Sequence, residues 1–252
     1  MPVYLQKYYS KLKVGIKMKI AVFTDIHGNH EALKVIIEDI QKEKIKNIIC
    51  LGDTIGIGPN PKECLDLIIE NNISMTLGNH ELYYLNKELY FTLPPEEIEH
   101  QKWVSSTLNK SHYEYLKKCP LNIEKKTFNK KLLFEHFLIK DKDNYPFYPI
   151  DITMKPNIKK IINNTPNDYI FIGHNHKPFE LTINNKNIVC LGSSGCTKDN
   201  ITKYIIINIT DKELTITSKH LPYNKDKFTN ELLSVDYPCK QELSKIFFNI
   251  NL

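Results

Sequence analysis

The stretch that decides the fold is Ile20-Ala21-Val22-Phe23-Thr24-Asp25-Ile26-His27, an apolar run that ends on a carboxylate and an imidazole two residues apart. Four further blocks of the same character follow in order: Leu51-Gly52-Asp53, Gly78-Asn79-His80-Glu81, His136 after Leu132-Leu133-Phe134, and Gly173-His174-Asn175-His176. Nearly all stand just past a strand-like run. In an open α/β sheet the carboxyl ends of neighbouring strands share one edge, so side chains distant in sequence converge there on a common ligand. Asp, His and Asn together supply oxygen and nitrogen donors. That mixture suits a pair of divalent transition ions better than structural zinc, which recruits thiolates, or calcium, which takes oxygen alone.

Outward from the first block, residues 19–23 read as a buried parallel strand and 29–44 as an amphipathic helix with Leu33, Ile36, Ile37 and Ile40 on one face. A strand at 48–51, a loop rich in Gly and Pro, a helix over 61–71 opened by a proline, and a strand at 73–77 follow. The alternation predicts βαβαβ with right-handed crossovers, which puts Asp25, Asp53 and Asn79 at one sheet edge. Residues 82–120 read as a helical insertion or cap, punctuated by Pro94-Pro95 and Pro120, with Ile98, Trp103, Val104 and Leu108 near helical spacing. Such residues are ordinarily packing. A hairpin is expected from 122–128 to 131–137 with its turn at Asn129-Lys130, and its second strand delivers His136. After a short helix near 155–164, a strand at 169–172 delivers His174 and His176. An extended backbone would point those two in opposite directions, but a turn after the strand lets both reach one edge. Turns at Asn184-Asn185 and Thr210-Asp211-Lys212 mark a β-rich C-terminal half, and a second sheet facing the first is expected.

The chain has 252 residues, enough for one sizeable core, with 41% hydrophobic and 25% charged residues. The formal charge of +5 is mild, and the lysines are interleaved with Asn and Ile, which gives no strong nucleic-acid signal. There is no arginine. Phosphate recognition by a bidentate guanidinium is therefore excluded, and must fall to metals, lysine, backbone or amide groups. Six cysteines without a CxxC pair, several inside apolar runs, read as buried reduced thiols of a cytoplasmic protein. No apolar run approaches the ~20 residues of a membrane span. Residues 1–17 carry no motif and no signal-like apolar core, and read as a dispensable extension before a single domain over 18–252.

The ordered blocks are those of the calcineurin-like metallophosphoesterase superfamily, which this chain resembles from about Met18 to Gly195: DxH, GD, GNH followed by Asp or Glu, a lone His, and GHxH. The stretch 51–64 is most similar to a small prokaryotic branch of predicted phosphodiesterases and diadenosine-tetraphosphatase-like proteins. The resemblance implies a four-layer α/β/β/α sandwich and a dinuclear centre, with Mn2+ the first choice and Fe, Ni, Co or Zn the others. It assigns Asp53 as the bridging ligand and catalytic carboxylate, Asp25, His27 and His176 to one metal, and Asn79, His136 and His174 to the other. His80 matches the family's catalytic His, an acid for the leaving oxygen or a clamp on phosphate, and Glu81 an orienter behind it. The implied chemistry is attack by a metal-activated hydroxide on a small-molecule phosphodiester or nucleotide.

An asymmetric dinucleoside tetraphosphate hydrolase is a second reading, and a non-catalytic protein-binding scaffold of the same fold a third. A protein phosphatase is disfavoured, because the residues after Gly52-Asp53 lack the arginine of that branch. Two departures stand out. His136 is followed by Phe137 where relatives often have Gly, and the block resembling NPGS reads Leu191-Gly192-Ser193-Ser194-Gly195, whose amides around Gly192 and Ser193 are candidates to meet a phosphate. His30, His100, His112 and His220 match no block and are expected at the surface.

Overall fold

Strands buried on both faces are near-continuous apolar runs, and this property builds the sandwich. The computed structural model describes residues 18–138, 162 and 165–252. One sheet has the order β10 (Leu214–Pro222), β9 (Ile201–Ile209), β1 (Met18–Phe23), β2 (Asn47–Cys50), β3 (Ser74–Met75). The other has β4 (Asn122–Thr127), β5 (Lys130–Glu135), β6 (Tyr169–Ile172), β8 (Lys186–Cys190), β7 (Phe179–Ile183). In the first, β1, β2 and β3 are parallel and β9 is antiparallel to β1. In the second, β5, β6 and β8 are parallel.

Alternation along each strand sorts the core into layers. Ile20 and Val22 of β1, Ile49 of β2 and Ile205, Ile207 and Ile209 of β9 meet Leu132, Phe134, Phe171 and Val189 of the other sheet. Phe134 and Phe171 stack with centroids 5.0 Å apart across the β5–β6 pair. On the opposite face of the first sheet, Ala21, Phe23, Cys50 and Tyr204 pack on α1 (His30–Lys42) and α2 (Pro61–Glu70). Leu133, Ile170, Ile172, Ile188 and Cys190 form the outer face of the second sheet, with Ile162 against them. Two facing sheets with helices on the outer face of the first are the mixed α/β sandwich expected, while the helix expected at 155–164 lies outside the described residues apart from Ile162, as does the expected extension at 1–17.

The helix face expected on α1 is the buried one, and Asn29 caps it by accepting from the Ala32 amide at 3.1 Å. The insertion consists of α3 (Asn79–Leu85), a 3₁₀ turn (Lys87–Thr92), α4 (Pro95–Thr107) and α5 (Lys110–Leu116). Three expectations differ in detail. Edge strand β3 is two residues long: the Thr76 amide still donates to the Cys50 carbonyl of β2 at 3.0 Å, and the next amide, Leu77, donates to the Pro120 carbonyl at 3.0 Å. The β4–β5 turn is Phe128-Asn129, one residue earlier than expected. Thr127 pairs with Lys130, and Phe128, at φ 49°, packs on the core between the sheets. The C-terminal portion is not uniformly β: α6 (Lys225–Ser234), α7 (Lys240–Leu243) and a π-helical turn (Ser244–Phe248) pack around Phe228, Leu232 and Phe248. No helix among the described residues is long and apolar enough to cross a membrane.

Two histidines expected at the surface are buried. His112 joins α5 to α2 through Asp66 at 2.8 Å and accepts from the Asn109 amide at 3.1 Å, closing a capping box. His100 accepts from the Ile57 amide at 2.9 Å, and its other ring nitrogen lies 3.3 Å from the Pro238 carbonyl oxygen. Each ring nitrogen thus has a partner in the interior, which offsets the loss of water. His30 is half-buried and His220 exposed.

Candidate metal centre

Both sheets present the carboxyl ends of their parallel strands at one edge, and every block found in the sequence ends there. Asp25 follows β1, Asp53 follows β2, Asn79 follows β3, His136 follows β5, and His174 and His176 follow β6. With His27, two residues after Asp25, these make seven, and five of them have left-handed backbones: Asp25 (φ 53°), His27 (49°), Asp53 (50°), His174 (66°) and His176 (55°). That conformation is costly outside glycine and clusters at functional sites. It turns the chain sharply after each strand, and in the segment 174–176 it brings two histidines to the same side. The strain is held by bonds between loops. Asp25 N–H donates to Gly52 O at 3.0 Å, His27 N–H to Asp53 O at 2.9 Å and Gly28 N–H to Thr54 O at 2.9 Å, so β1 and β2 stay zipped past their ends.

The polar atoms converge closely. Asp53 Oδ2 lies 3.1 Å from His136 Nε2 and 3.7 Å from His27 Nε2. His27 Nε2 and His176 Nε2 are 3.0 Å apart, and Asp25 Oδ1 is 3.6 Å from the first and 3.3 Å from the second. His174 Nδ1 is 3.0 Å from Asn79 Oδ1. Three groups of potential ligand atoms fall here, each within 4.8 Å: His27 with Asp53 and His80, Asp53 with His136 and His174, and His27 with His176 and Cys196.

His136 tests whether a cation fits. Its Nδ1 is 2.8 Å from the Leu51 carbonyl oxygen, which only accepts, so Nδ1 carries the hydrogen. Nε2 then turns a lone pair toward the Asp53 carboxylate and has no aligned hydrogen-bond partner among the described residues. Two acceptors at that distance repel unless a proton or a metal ion stands between them. The donor set, carboxylate, imidazole and amide oxygen, is one that first-row divalent ions take. Without an ion, burial pulls the His136 imidazole down, but the carboxylates of Asp53 and Asp25 outweigh it and lift it to about 9. Burial lowers His27 and His174 to about 4 each. Burial works to raise Asp53 and Asp25, yet the surrounding imidazoles, His136 foremost, hold both carboxyls below the usual range.

Glu81 holds the Asp53 loop. Its Oε2 accepts from the Asp53 amide at 2.8 Å and the Gly78 amide at 2.9 Å, and its Oε1 from Thr54 at 2.8 Å and Ile55 at 3.3 Å. Asp53 Oδ1 accepts from the His80 amide at 3.0 Å, which leaves Oδ2 for the cluster. His80 is placed by the insertion: Gln101 Nε2 donates to His80 Nδ1 at 2.9 Å and to Glu97 Oε1 at 2.6 Å. His80 Nε2 therefore carries the ring hydrogen. Its ring occupies the space where a Cβ on Gly56 would stand, so that glycine is required.

The two departures noted in the sequence have structural counterparts. Phe137 is buried and meets the His136 and His174 rings edge-on at 5.3 and 5.6 Å, a buttress that glycine could not supply. The amides of Ser193, Ser194 and Gly195 are not free for a phosphate: they donate to His176 O at 3.2 Å, Thr24 O at 3.0 Å and Asp25 O at 3.0 Å. That loop positions Asp25 instead. Gln101, Glu97, Thr24 (Oγ1 to Asp25 Oδ2, 2.7 Å) and Cys196 were not identified from the sequence. Only the i, i+4 spacing of Glu97 and Gln101 on one helix could have hinted at their pairing.

The profile of the family described as Calcineurin-like phosphoesterase matches residues 18–234. This chain belongs to that family. Membership makes it a metallophosphoesterase by descent, a family of phosphoester hydrolases that bind divalent metals. An uncharacterized protein of Methanocaldococcus jannaschii is 29% identical over 249 residues, covering 93% of this chain and 94% of its own. Two solved structures are similar in fold. A hypothetical protein from Pyrococcus horikoshii has a TM-score of 0.75 at 16% identity, covering 93% of this chain and 100% of that one. A metallophosphoesterase from Sphaerobacter thermophilus has a TM-score of 0.68 at 19% identity, covering 90% and 99%.

Two measurements test this geometry. Glu81→Gln places an amide NH2 against backbone N–H donors, so it is expected to lower the melting temperature and to weaken metal binding by about 10- to 100-fold, the usual cost of losing an outer-shell partner. Unchanged metal titrations would show that the Glu81 contacts are idle. In metal-free protein, the raised His136 contributes stability that is complete below its ordinary value of 6.5 and lost as pH rises through about 9. The depressed His27 and His174 contribute stability that is complete above 6.5 and lost as pH falls through about 4. Thermal melts of chelator-treated protein should therefore peak near pH 6.5, and His136→Gln should flatten the alkaline limb. An alkaline limb identical in both proteins would remove His136 as its cause.

Proposed function

We propose that this protein is a dinuclear metal-dependent phosphoesterase acting on phosphodiester or nucleotide substrates. The observation that carries the reading is the place of Asp53, whose Oδ2 lies 3.7 Å from His27 Nε2, a neighbour of Asp25 and His176, and 3.1 Å from His136 Nε2, grouped with His174. A single carboxylate shared by two sets of donors is what a pair of neighbouring ions requires. In this reading Asp25, His27 and His176 would hold one ion and Asn79, His136 and His174 the other, with Asp53 the carboxylate they would share. Manganese or another first-row divalent ion fits these donors. When bound, such a pair neutralises phosphoryl charge and supplies a water acidic enough to ionise near neutral pH.

The chain's own groups do the rest. Asp53 is fixed by Glu81 through its amide and by the His80 amide through Oδ1, so its Oδ2 stays in place without reorganisation. His80, buried and oriented by Gln101, offers its Nε2 hydrogen to a phosphoryl oxygen or to the departing oxygen of the ester. With no arginine in the chain, His80 and the ions take the place of a guanidinium clamp. The six free thiols accord with a reducing cytoplasm, where we place the protein.

Metal analysis followed by hydrolysis of two ester types tests the reading. Asp53→Asn should lower metal content from about two per chain and abolish hydrolysis, since a neutral amide bridges two dications poorly. Full activity in that variant, or activity that persists in excess chelator, would overturn the metal mechanism. His80→Ala should keep both ions and lose about 10²- to 10⁴-fold in rate on esters with poor leaving groups, the scale of a general acid. Activated nitrophenyl diesters should lose far less. Equal losses on both esters together with loss of metal would reassign His80 as a ligand.

A further inference from the structure

Cys196 lies beside one half of the centre only. Its sulfur and the ligand nitrogens of His27 and His176 are all within 4.8 Å of one another, and Asp25 Oδ1 is 3.3 Å from His176 Nε2 and 3.6 Å from His27 Nε2. The group of Asp53, His136 and His174 contains no sulfur. An ion with bonds of about 2.1 Å to nitrogen and about 2.3 Å to sulfur needs donors spaced on this scale.

The thiol is also built into place. Ser193 Oγ donates to the Asp25 carbonyl oxygen at 2.7 Å and accepts from the Cys196 amide at 2.7 Å. The Gly195 amide donates to the same Asp25 carbonyl at 3.0 Å, and Asn29 Nδ2 donates to Gly195 O at 2.8 Å. Gly195 is packed so closely on the Ile26 carbonyl that a Cβ would not fit. The loop bearing the sulfur is thus locked to the loop that bears Asp25 and His27. From the other side, Phe247 packs on the His176 ring with centroids 5.5 Å apart, and Cys196 packs on the apolar cluster of the C-terminal helices. Buried His27 has a second ring nitrogen, Nδ1, with no partner among the described residues.

We propose that Cys196 is a sulfur donor to the ion held by Asp25, His27 and His176, and that it makes this half of the centre thiophilic. The inference rests on the reading that a dinuclear centre forms here. A metal–sulfur bond forms as the S–H bond breaks, the proton passes to solvent, and no electron is transferred. Thiolate favours zinc, cobalt and ferrous ions over manganese, whereas carboxylate and amide oxygen favour harder ions. The half with Cys196 therefore selects a softer ion than the half with Asn79, and under mixed supply the pair is heteronuclear.

Cobalt(II) reports sulfur ligation directly. Metal-free wild type, Cys196→Ser and Cys196→Ala are titrated with Co2+ and followed in the visible and near-ultraviolet. Wild type should take up about two equivalents, one of which brings a sulfur-to-cobalt charge-transfer band in the near-ultraviolet that both variants lack. Zn2+ affinity at that half should fall in the variants by at least the roughly 10- to 100-fold that loss of an outer-shell partner costs, with Mn2+ affinity little changed. Two cobalt ions bound with visible bands but no charge-transfer band in wild type would overturn the role of Cys196 and leave the dinuclear reading intact. A band that persists in Cys196→Ser would assign the sulfur to another cysteine and also overturn it. No cobalt uptake at all would overturn the dinuclear reading itself. If neither variant folds, the wild-type spectrum alone decides.

Discussion

The carboxylate of Glu81 is the constraint on which the site depends. It is fully buried, and burial together with the nearby Asp53 charge raises its affinity for a proton. Taking such a group out of water is costly unless its oxygens are occupied by donors. Here four backbone N–H groups, from Gly78, Asp53, Thr54 and Ile55, meet its two oxygens. Hydrogen bonds to a carboxylate are the strong ones, and these join the start of α3 to the loop after β2. Because three of the four donors belong to the loop that carries Asp53, the loop has little freedom to relax. The left-handed backbone of Asp53 persists because its surroundings over-determine it.

The same logic is repeated on the other side. Asp25 is also left-handed, and Thr24 Oγ1 and the His174 amide donate to its carboxylate while the Ser193 hydroxyl and Gly195 amide donate to its carbonyl. A neighbouring element thus fixes each carboxylate: α3 fixes Asp53, and the turn after β8 of the second sheet fixes Asp25. A centre assembled from both sheets is sensitive to how they pack. The layer between them, with Phe134 and Phe171 stacked at its middle, is part of the site's geometry although no residue in it is a ligand.

Much of the arrangement was legible because strand ends and candidate ligands coincide in the chain. An apolar run followed by Asp25, Asp53 or His174 shows the fold and the chemistry together, since strands buried on both faces have no polar alternation to confuse. What stayed hidden depends on contacts with no local signature. His100 and His112 look like any polar residue of an amphipathic helix; their burial follows from Ile57, Pro238 and Asp66, which the sequence places 43, 138 and 46 residues away. Helix α6 offers only Phe228 and Leu232 as buried anchors in a polar stretch, too few to mark a helical face. Cys196 was read with the other thiols because nothing in its neighbourhood along the chain shows that His27 and His176 lie beside it.

The orienting groups divide in a way that bears on how such a site changes. Asp25, Asp53, His136, His174 and His176 follow strands of the two sheets, whereas Glu97 and Gln101, which fix the His80 tautomer, lie on α4 of the insertion. Among the described residues the Gln101 side chain bonds only to His80 Nδ1 and Glu97 Oε1, so a substitution there acts on the His80 ring and not on the side chains that follow the strands. A substitution in the β-strand loops acts on the buried cluster itself. The insertion also reaches the loop after Asp53 through His100 and the Ile57 amide, where Ile57 has φ 58°, a conformation a β-branched residue rarely adopts. The helical cap is therefore coupled to the centre at two points, one that sets a proton and one that holds a strained loop. Its sequence can therefore change the setting of the His80 ring while the loops after β1, β2, β5 and β6 keep their carboxylates and imidazoles in place.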